Sequence, residues 1–244
     1  MAGIIELKNV SFVAQNRLIV RNFSHEFEEG KTTALVGPSG SGKSTVLKLS
    51  AGLLVPRGGE ISFRGRNVFD MTRHEILAFR RESSMVFQDS ALWANQSLYE
   101  ILDLPLRIHF PEMLQPEREN RIQVILRDVG YKRDLSIRPS LLSMGEQKLI
   151  AFARAMMCRP RLLFLDEWTE SLDDSAADRL IQLVQRHQRE QNTVIFVSHD
   201  FRIVKSLADY ILMILGGQFF LKLSREQIEK DEDLARYVER GIAS

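Results

Sequence analysis

The segment Gly37-Pro38-Ser39-Gly40-Ser41-Gly42-Lys43-Ser44 has the spacing G-x4-G-K-[ST], with a short apolar run before it and a helical period after it. Its glycines let consecutive N–H groups turn inward around phosphate oxygens, and the positive end of the following helix adds to that attraction. Lys43 would reach the β- and γ-phosphates, and the Ser44 hydroxyl would ligate Mg²⁺. A flexible Gly/Ser loop would share the composition but not the flanking strand and helix.

Three further positions carry chemistry of the same kind. Leu162-Leu163-Phe164-Leu165-Asp166-Glu167 is an apolar strand ending in two carboxylates. Asp166 could bear on Mg²⁺ while Glu167 polarises a water that attacks the γ-phosphate. Acidic residues often end strands, so this pair gains its meaning from the phosphate loop. His199 follows the next apolar strand and can sit beside Glu167, although a lone histidine is more often structural. Gln88 ends the run Met85-Val86-Phe87, where its amide could touch Mg²⁺ or water and also feel an attached partner; a solvated glutamine is the plain alternative.

Strands must deliver these residues to one edge. Residues 4–12 and 22–28 alternate as a small antiparallel layer, and 33–36, 83–87, 162–165 and 194–197 read as short buried strands. Helical periods over 43–54, 145–157 and 174–189 between strands predict a parallel sheet with crossover helices. From residue 97 to 141 the pattern is helical only, broken by Pro105, Pro111, Pro116 and Pro139, which predicts an inserted helical lobe.

Composition bounds the rest. The 244 residues are 44% hydrophobic and 27% charged, an ordinary globular balance, and 33 Lys+Arg against 32 Asp+Glu leave a net charge of +1. That balance speaks against a nucleic-acid binder. The single cysteine, Cys158, cannot form an internal disulfide, the first ten residues lack a signal-peptide core, and the apolar run 211–215 is far too short to cross a bilayer. A reducing cytoplasm is the expected compartment.

The order of Gly37 to Thr45, Gln88, Leu142-Ser143-Met144-Gly145-Glu146-Gln147, Asp166-Glu167, Ser171-Leu172-Asp173 and His199 resembles the ATP-binding subunits of ABC transporters over nearly the whole chain. The resemblance implies one α/β cassette over residues 1–244. Its P-loop NTPase core with a small antiparallel β layer would span about 1–90 and 160–244, and its helical subdomain about 91–159. It implies ATP and Mg²⁺ as cofactors. Nucleotide would be held by Gly37, Pro38, Ser39, Gly40, Ser41, Gly42, Lys43, Ser44, Thr45 and Gln88, and Mg²⁺ by Ser44, Gln88 and Asp166. Glu167, His199 and Lys43 would be catalytic. Ser143 and the Gly145 amide would meet the γ-phosphate on a second copy in a head-to-tail homodimer, with Asp173 at the seam.

Several positions depart from that family's pattern. Met144 stands for the first signature glycine and Glu146 for its glutamine, adding bulk and negative charge near the phosphate. Trp168 stands for proline and Glu170 for serine. Ala14 stands where an aromatic ring stacks on adenine, which predicts weaker or less base-selective nucleotide binding unless Phe12 substitutes.

Met85 to Trp93, Ser97-Leu98-Tyr99-Glu100, Leu104-Pro105-Leu106 and the ending Arg236 to Gly241 are similar to the ATPases of MCE-type, Mla-like phospholipid transport. That similarity implies a multi-span permease docking near Gln88 to Leu106, an MCE-domain protein in the complex, and a peripheral place on the cytoplasmic face of the inner membrane. The stretch could equally be generic packing of the helical lobe. Lipoprotein release, small-solute transport, or a low-turnover nucleotide-dependent assembly module are the alternative functions.

Overall fold

The computed structural model describes residues 3–243. Residues 1, 2 and 244, the ends of the expected cassette, lie outside the described residues. In chain order the elements are β1 (Gly3–Ala14), β2 (Arg17–Glu28), β3 (Thr32–Val36), α1 (Lys43–Ser50), β4 (Gly58–Phe63), β5 (Arg66–Asn67), α2 (Arg73–Glu82) and β6 (Ser83–Val86). There follow α3 (Leu98–His109), α4 (Gln115–Val129), α5 (Met144–Met156), β7 (Leu162–Asp166), α6 (Asp174–Arg189) and β8 (Thr193–Val197). The chain closes with α7 (Phe201–Leu207), β9 (Tyr210–Leu215), β10 (Gln218–Ser224), α8 (Arg225–Lys230) and α9 (Glu232–Ala243).

Two sheets result, in the orders β2-β1-β4-β5 and β10-β9-β3-β8-β7-β6. The first is antiparallel; in the second, β9, β3, β8, β7 and β6 run parallel and β10 pairs antiparallel to β9. This is the parallel sheet with crossover helices that the alternating pattern predicts. Strand β2 begins at Arg17 rather than residue 22, because Gln15 and Asn16 (φ 47° and 60°) make a left-handed two-residue hairpin turn without a glycine to announce it.

Strands β3, β8 and β7 are buried on both faces, so their alternate residues serve two cores. Leu162 and Phe164 of β7 face β1, β2 and α1, joining Ile5, Leu7, Phe23, Phe27 and Leu47. Leu163 and Leu165 face the opposite side with Val86, Ile101, Leu126, Phe152 and Leu180. Complete burial of each such large side chain favours folding by about 1.5–3 kcal/mol.

Three helices also depart from the sequence expectation. Helix α1 stops at Ser50 rather than residue 54, where Gly52 takes a left-handed φ of 62° and the Arg80 guanidinium donates to the carbonyls of Ala51 and Gly52. Pro105 lies inside α3 instead of ending it: Leu98, Ile101, Leu102 and Leu106 form a buried face strong enough to carry the helix past a missing N–H. Helix α2 was not expected, since Phe79 is its one buried residue and leaves almost no apolar period, although Thr72 and Glu75 cap its start reciprocally.

Candidate nucleotide site

β3, β8, β7 and β6 are consecutive neighbours, and their carboxyl ends bring the predicted residues to one edge of the sheet. β3 runs into the loop 37–42 and α1, β8 into Ser198 and His199, β7 into Asp166 and Glu167, and β6 into Gln88. A cavity of about 380 Å³ there is lined by Ile19, Ser39, Gly40, Gly42, Lys43, Ser44, Thr45, Gln88, Glu167 and His199.

The loop can take this shape only with glycine at Gly37. Its φ is 145°, and a Cβ there would stand 2.1 Å from the carbonyl oxygen of Ile214. Lys43 is buried, and its Nζ donates to the carbonyls of Gly37 and Pro38 at 2.7 and 2.9 Å. Burial pushes its pKa down while Glu167 and Asp166 pull it back up. The ammonium is thus stationed in the loop that must hold an anion.

Ser44 Oγ donates to Asp166 Oδ1 at 2.8 Å, and Asp166 Oδ2 is buried with no hydrogen-bond partner among the described residues. Burial raises the Asp166 pKa, opposed by Ser44 and by Lys48, Lys148 and Lys43. An orphaned carboxylate oxygen beside a hydroxyl suits a hard cation. Among the described residues no three His, Cys, Asp or Glu side chains gather into a metal site, so a cation here would need oxygens from a bound phosphate as well.

Glu167 is 8% exposed and takes a left-handed φ of 43°, which turns its side chain out of the strand line and into the cavity. The His199 N–H donates to its Oε2 at 3.2 Å, and His199 Nε2 lies 3.1 Å from Oε1. Burial raises the Glu167 pKa and His199 opposes that shift. A carboxyl with raised basicity, oriented at both oxygens, is suited to accept a proton from water.

Gln88 lines the same cavity, but its amide donates to Glu170 at 3.3 Å. The acidic departure at Glu170 thereby has a physical partner. Trp168 is fully buried, its ring 5.8 Å from that of Phe152 on α5.

Ser143 and Gly145 do not line this cavity. Ser143 caps α5: its Oγ accepts from the Glu146 N–H at 3.2 Å, and Glu146 Oε2 accepts from the Ser143 N–H at 2.8 Å. Arg133 also donates to Glu146 at 3.1 Å. The negative charge at Glu146 is therefore tied to a cap and a guanidinium, and the Ser143 N–H, then Arg133, lower its pKa. Met144 is 70% exposed. A Cβ on Gly145 would meet the Ser171 carbonyl at 2.9 Å, so close packing asks for glycine there. Asp173 caps α6 through the Ala176 N–H at 2.8 Å.

Among the described residues no Phe, Tyr or Trp lines the cavity; Ile19 does, and Phe12 packs into the core beneath the antiparallel sheet. Sequence reasoning missed Ile19, since nothing in its own neighbourhood marks it. It also missed Lys148, whose Nζ donates to the carbonyls of Phe87, Gln88 and Glu167.

Residues 20–170 match the family model described as ABC transporter. The chain belongs to the ABC transporter family. As an ABC cassette it is an ATPase and binds ATP. It is 34% identical over 235 residues, 95% of this chain and 88% of the relative, to the intermembrane phospholipid transport system ATP-binding protein MlaF of Haemophilus influenzae. To the nickel import ATP-binding protein NikE of Shigella flexneri the cassette is 36% identical, over 84% of this chain and 77% of that one. Among solved structures, a dimeric ATP-binding cassette in a post-hydrolysis state, bound to ADP and Pi, superposes with a TM-score of 0.83 at 27% identity. The alignment covers 91% of this cassette and 98% of that chain.

Proposed function

We propose that this cassette is the ATP-hydrolysing subunit of an envelope phospholipid transporter, working as a homodimer on two copies of a membrane permease with an MCE-type partner. The observation that carries the cargo is the 34% identity to a phospholipid-transport ATPase over 95% of the chain. Among the described residues no helix is long and apolar enough to cross a membrane. The reading therefore puts the protein peripherally on the cytoplasmic face of the inner membrane, held by the permease.

In this reading the single domain divides into a core of about 1–90 and 160–244 and a helical subdomain of about 91–159. Between them lies a groove of about 430 Å³ lined by Met85, Phe87, Trp93, Pro105 and Arg154 among others. The permease contact is assigned to the exposed residues Gln88, Asp89, Ala91 and Trp93 beside it. Leu98, Ile101, Leu102 and Leu106, also within the expected contact stretch, are buried in the helical subdomain and serve packing instead. Arg154 fixes the rim by donating to the Ser90 and Ala91 carbonyls and lying 5.5 Å over the Trp93 ring.

In this reading the loop amides from Gly37 to Thr45 and Lys43 hold the phosphates. Ser44, Asp166 and Gln88 are the residues that would hold Mg²⁺, which when bound neutralises phosphate charge. Glu167 takes the proton of the attacking water, with His199 keeping its carboxylate aimed. Ser143, whose hydroxyl proton is not used by its cap, and the Gly145 N–H complete the site of the second copy.

Purification of the tagged chain in its native membrane complex, with mass spectrometry of proteins and lipids, tests the proposal. A multi-span permease, an MCE-domain protein and bound phospholipid are expected. A permease without those companions overturns the lipid cargo in favour of another solute, for which the similarity to a nickel-import ATPase is the supporting observation.

A further inference from the structure

Lys148 lies five residues beyond Ser143 on α5 and is 3% exposed. Its Nζ donates to the Phe87 carbonyl at 3.4 Å, the Gln88 carbonyl at shorter range, and the Glu167 carbonyl at 3.1 Å. These acceptors sit where β6 and β7 have just ended; the Phe87 and Glu167 carbonyls also accept from the turn N–H groups of Ser90 and Glu170 at 3.1 and 3.3 Å. An ammonium has three N–H donors, and each finds one carbonyl. The charged groups around it are Asp166, Glu167, Glu170 and Asp89, all carboxylates.

A second contact reinforces the first. Phe152 is four residues on from Lys148, hence on the same face of α5, and packs against Trp168, the residue after Glu167. Helix α5 therefore grips the Glu167 segment at two points, by a charge on a carbonyl and by a ring on a ring. Glu167 needs such a grip, since a non-glycine residue at φ 43° persists only where its surroundings hold it.

We propose that Lys148 is a positioning residue for ATP hydrolysis, fixing the backbone of Glu167 and Gln88 to the same helix whose N-terminus carries Ser143. All three acceptors are main-chain atoms, so what Lys148 sets is where the Glu167 carboxylate stands. A misplacement of about 1 Å costs on the order of 100-fold in rate. Lys148 does not itself line the phosphate cavity, and what it holds of Gln88 is the main-chain carbonyl rather than the amide, so the expected effect falls on turnover rather than on nucleotide binding.

The test measures ATP hydrolysis by the native complex carrying Lys148→Met, Lys148→Gln and Lys148→Arg, alone and with Glu167→Gln. Lys148→Met is expected to lower kcat about 10- to 100-fold with KM for ATP within about twofold, and Lys148→Arg to recover most of the loss. In the Glu167→Gln background the same substitution should remove nothing further, because its effect runs through that carboxylate. Should Lys148→Met fail to assemble, Lys148→Gln, with two donors and no charge, is expected to give an intermediate kcat at unchanged KM. Wild-type kcat in Lys148→Met, a parallel loss of kcat and ATP affinity in the variants, or additive losses with Glu167→Gln would each overturn the inference. The inference rests on the ATPase reading, and the wild-type complex separates the two. Absence of wild-type turnover refutes that reading, whereas wild-type turnover left intact by Lys148→Met refutes this one alone.

Discussion

The loop before α1 and the segment before α5 both offer the N-terminus of a helix, yet the chain finishes one and leaves the other open. At the first, Lys43 is buried on the Gly37 and Pro38 carbonyls, Ser44 is bonded to Asp166, and β3 and β7 anchor both sides. At the second, Ser143 and Met144 are exposed, and the cap is closed by Glu146 and Arg133 from the same lobe. The first has everything a phosphate needs within a single chain. The second presents a hydroxyl proton and backbone N–H groups to whatever approaches from outside. On the proposed homodimer, that difference accounts for binding within one copy and turnover only with two.

The largest expected effect tests the finished end. Gly37→Ala places a Cβ 2.1 Å from the Ile214 carbonyl at a φ no alanine adopts comfortably. A cost of about 3 kcal/mol and a loss of nucleotide affinity of more than about 100-fold are expected, read by thermal unfolding and a fluorescent ATP analogue. Wild-type binding by this variant would mean the loop is not the phosphate site. The matching change at the open end, Ser143→Ala, removes a helix cap worth about 1 kcal/mol. Nucleotide binding to the single chain should stay unchanged while ATP turnover of the complex falls by about tenfold. Equal losses of binding and turnover would erase the distinction between the two ends.

The contrast also explains what could be read from sequence. The phosphate loop, Asp166 with Glu167, and His199 are local motifs at strand ends, and a parallel sheet aligns strand ends, so reading the strands placed the residues. The hydrophobic alternation gave the antiparallel layer for the same reason. Contacts made by residues far apart in the chain had no such signal. Lys148 meets Gln88 and Glu167 across 60 and 19 positions, and Glu170 meets Gln88 across 82. The partner of Glu146 had no local signal either, since Arg133 stands 13 residues away. Trp168 packs on Phe152, 16 residues away, a contact with no local mark in the sequence. Pro105 misled because buried neighbours overrode a local rule.

A smaller effect sharpens the account of the open end. Met144 is exposed at the first turn of α5, where the second copy of the proposed homodimer would have to fit. Met144→Gly should change the stability of the single chain little and raise turnover of the complex several-fold by removing bulk. Unchanged turnover would show that the seam accommodates the thioether.

The smallest effect separates charge from fold at that same end. Arg133 is about half exposed and its pairing with Glu146 is open to solvent, so Arg133→Met should cost no more than about 1 kcal/mol in thermal unfolding. If Arg133 matters only to stability, that is all it will do. If it screens the Glu146 carboxylate from the phosphate of a second copy, turnover should fall a few-fold at low salt and recover as salt rises. The double variant Arg133→Met with Glu146→Gln should then return to the wild-type rate, because the amide keeps the cap acceptor while removing the charge. A Glu146→Gln single variant with unchanged turnover completes the argument: the departure at Glu146 is tolerated because its charge is already answered within the lobe. A loss that survives in the double variant would instead assign Arg133 a contact of its own across the seam.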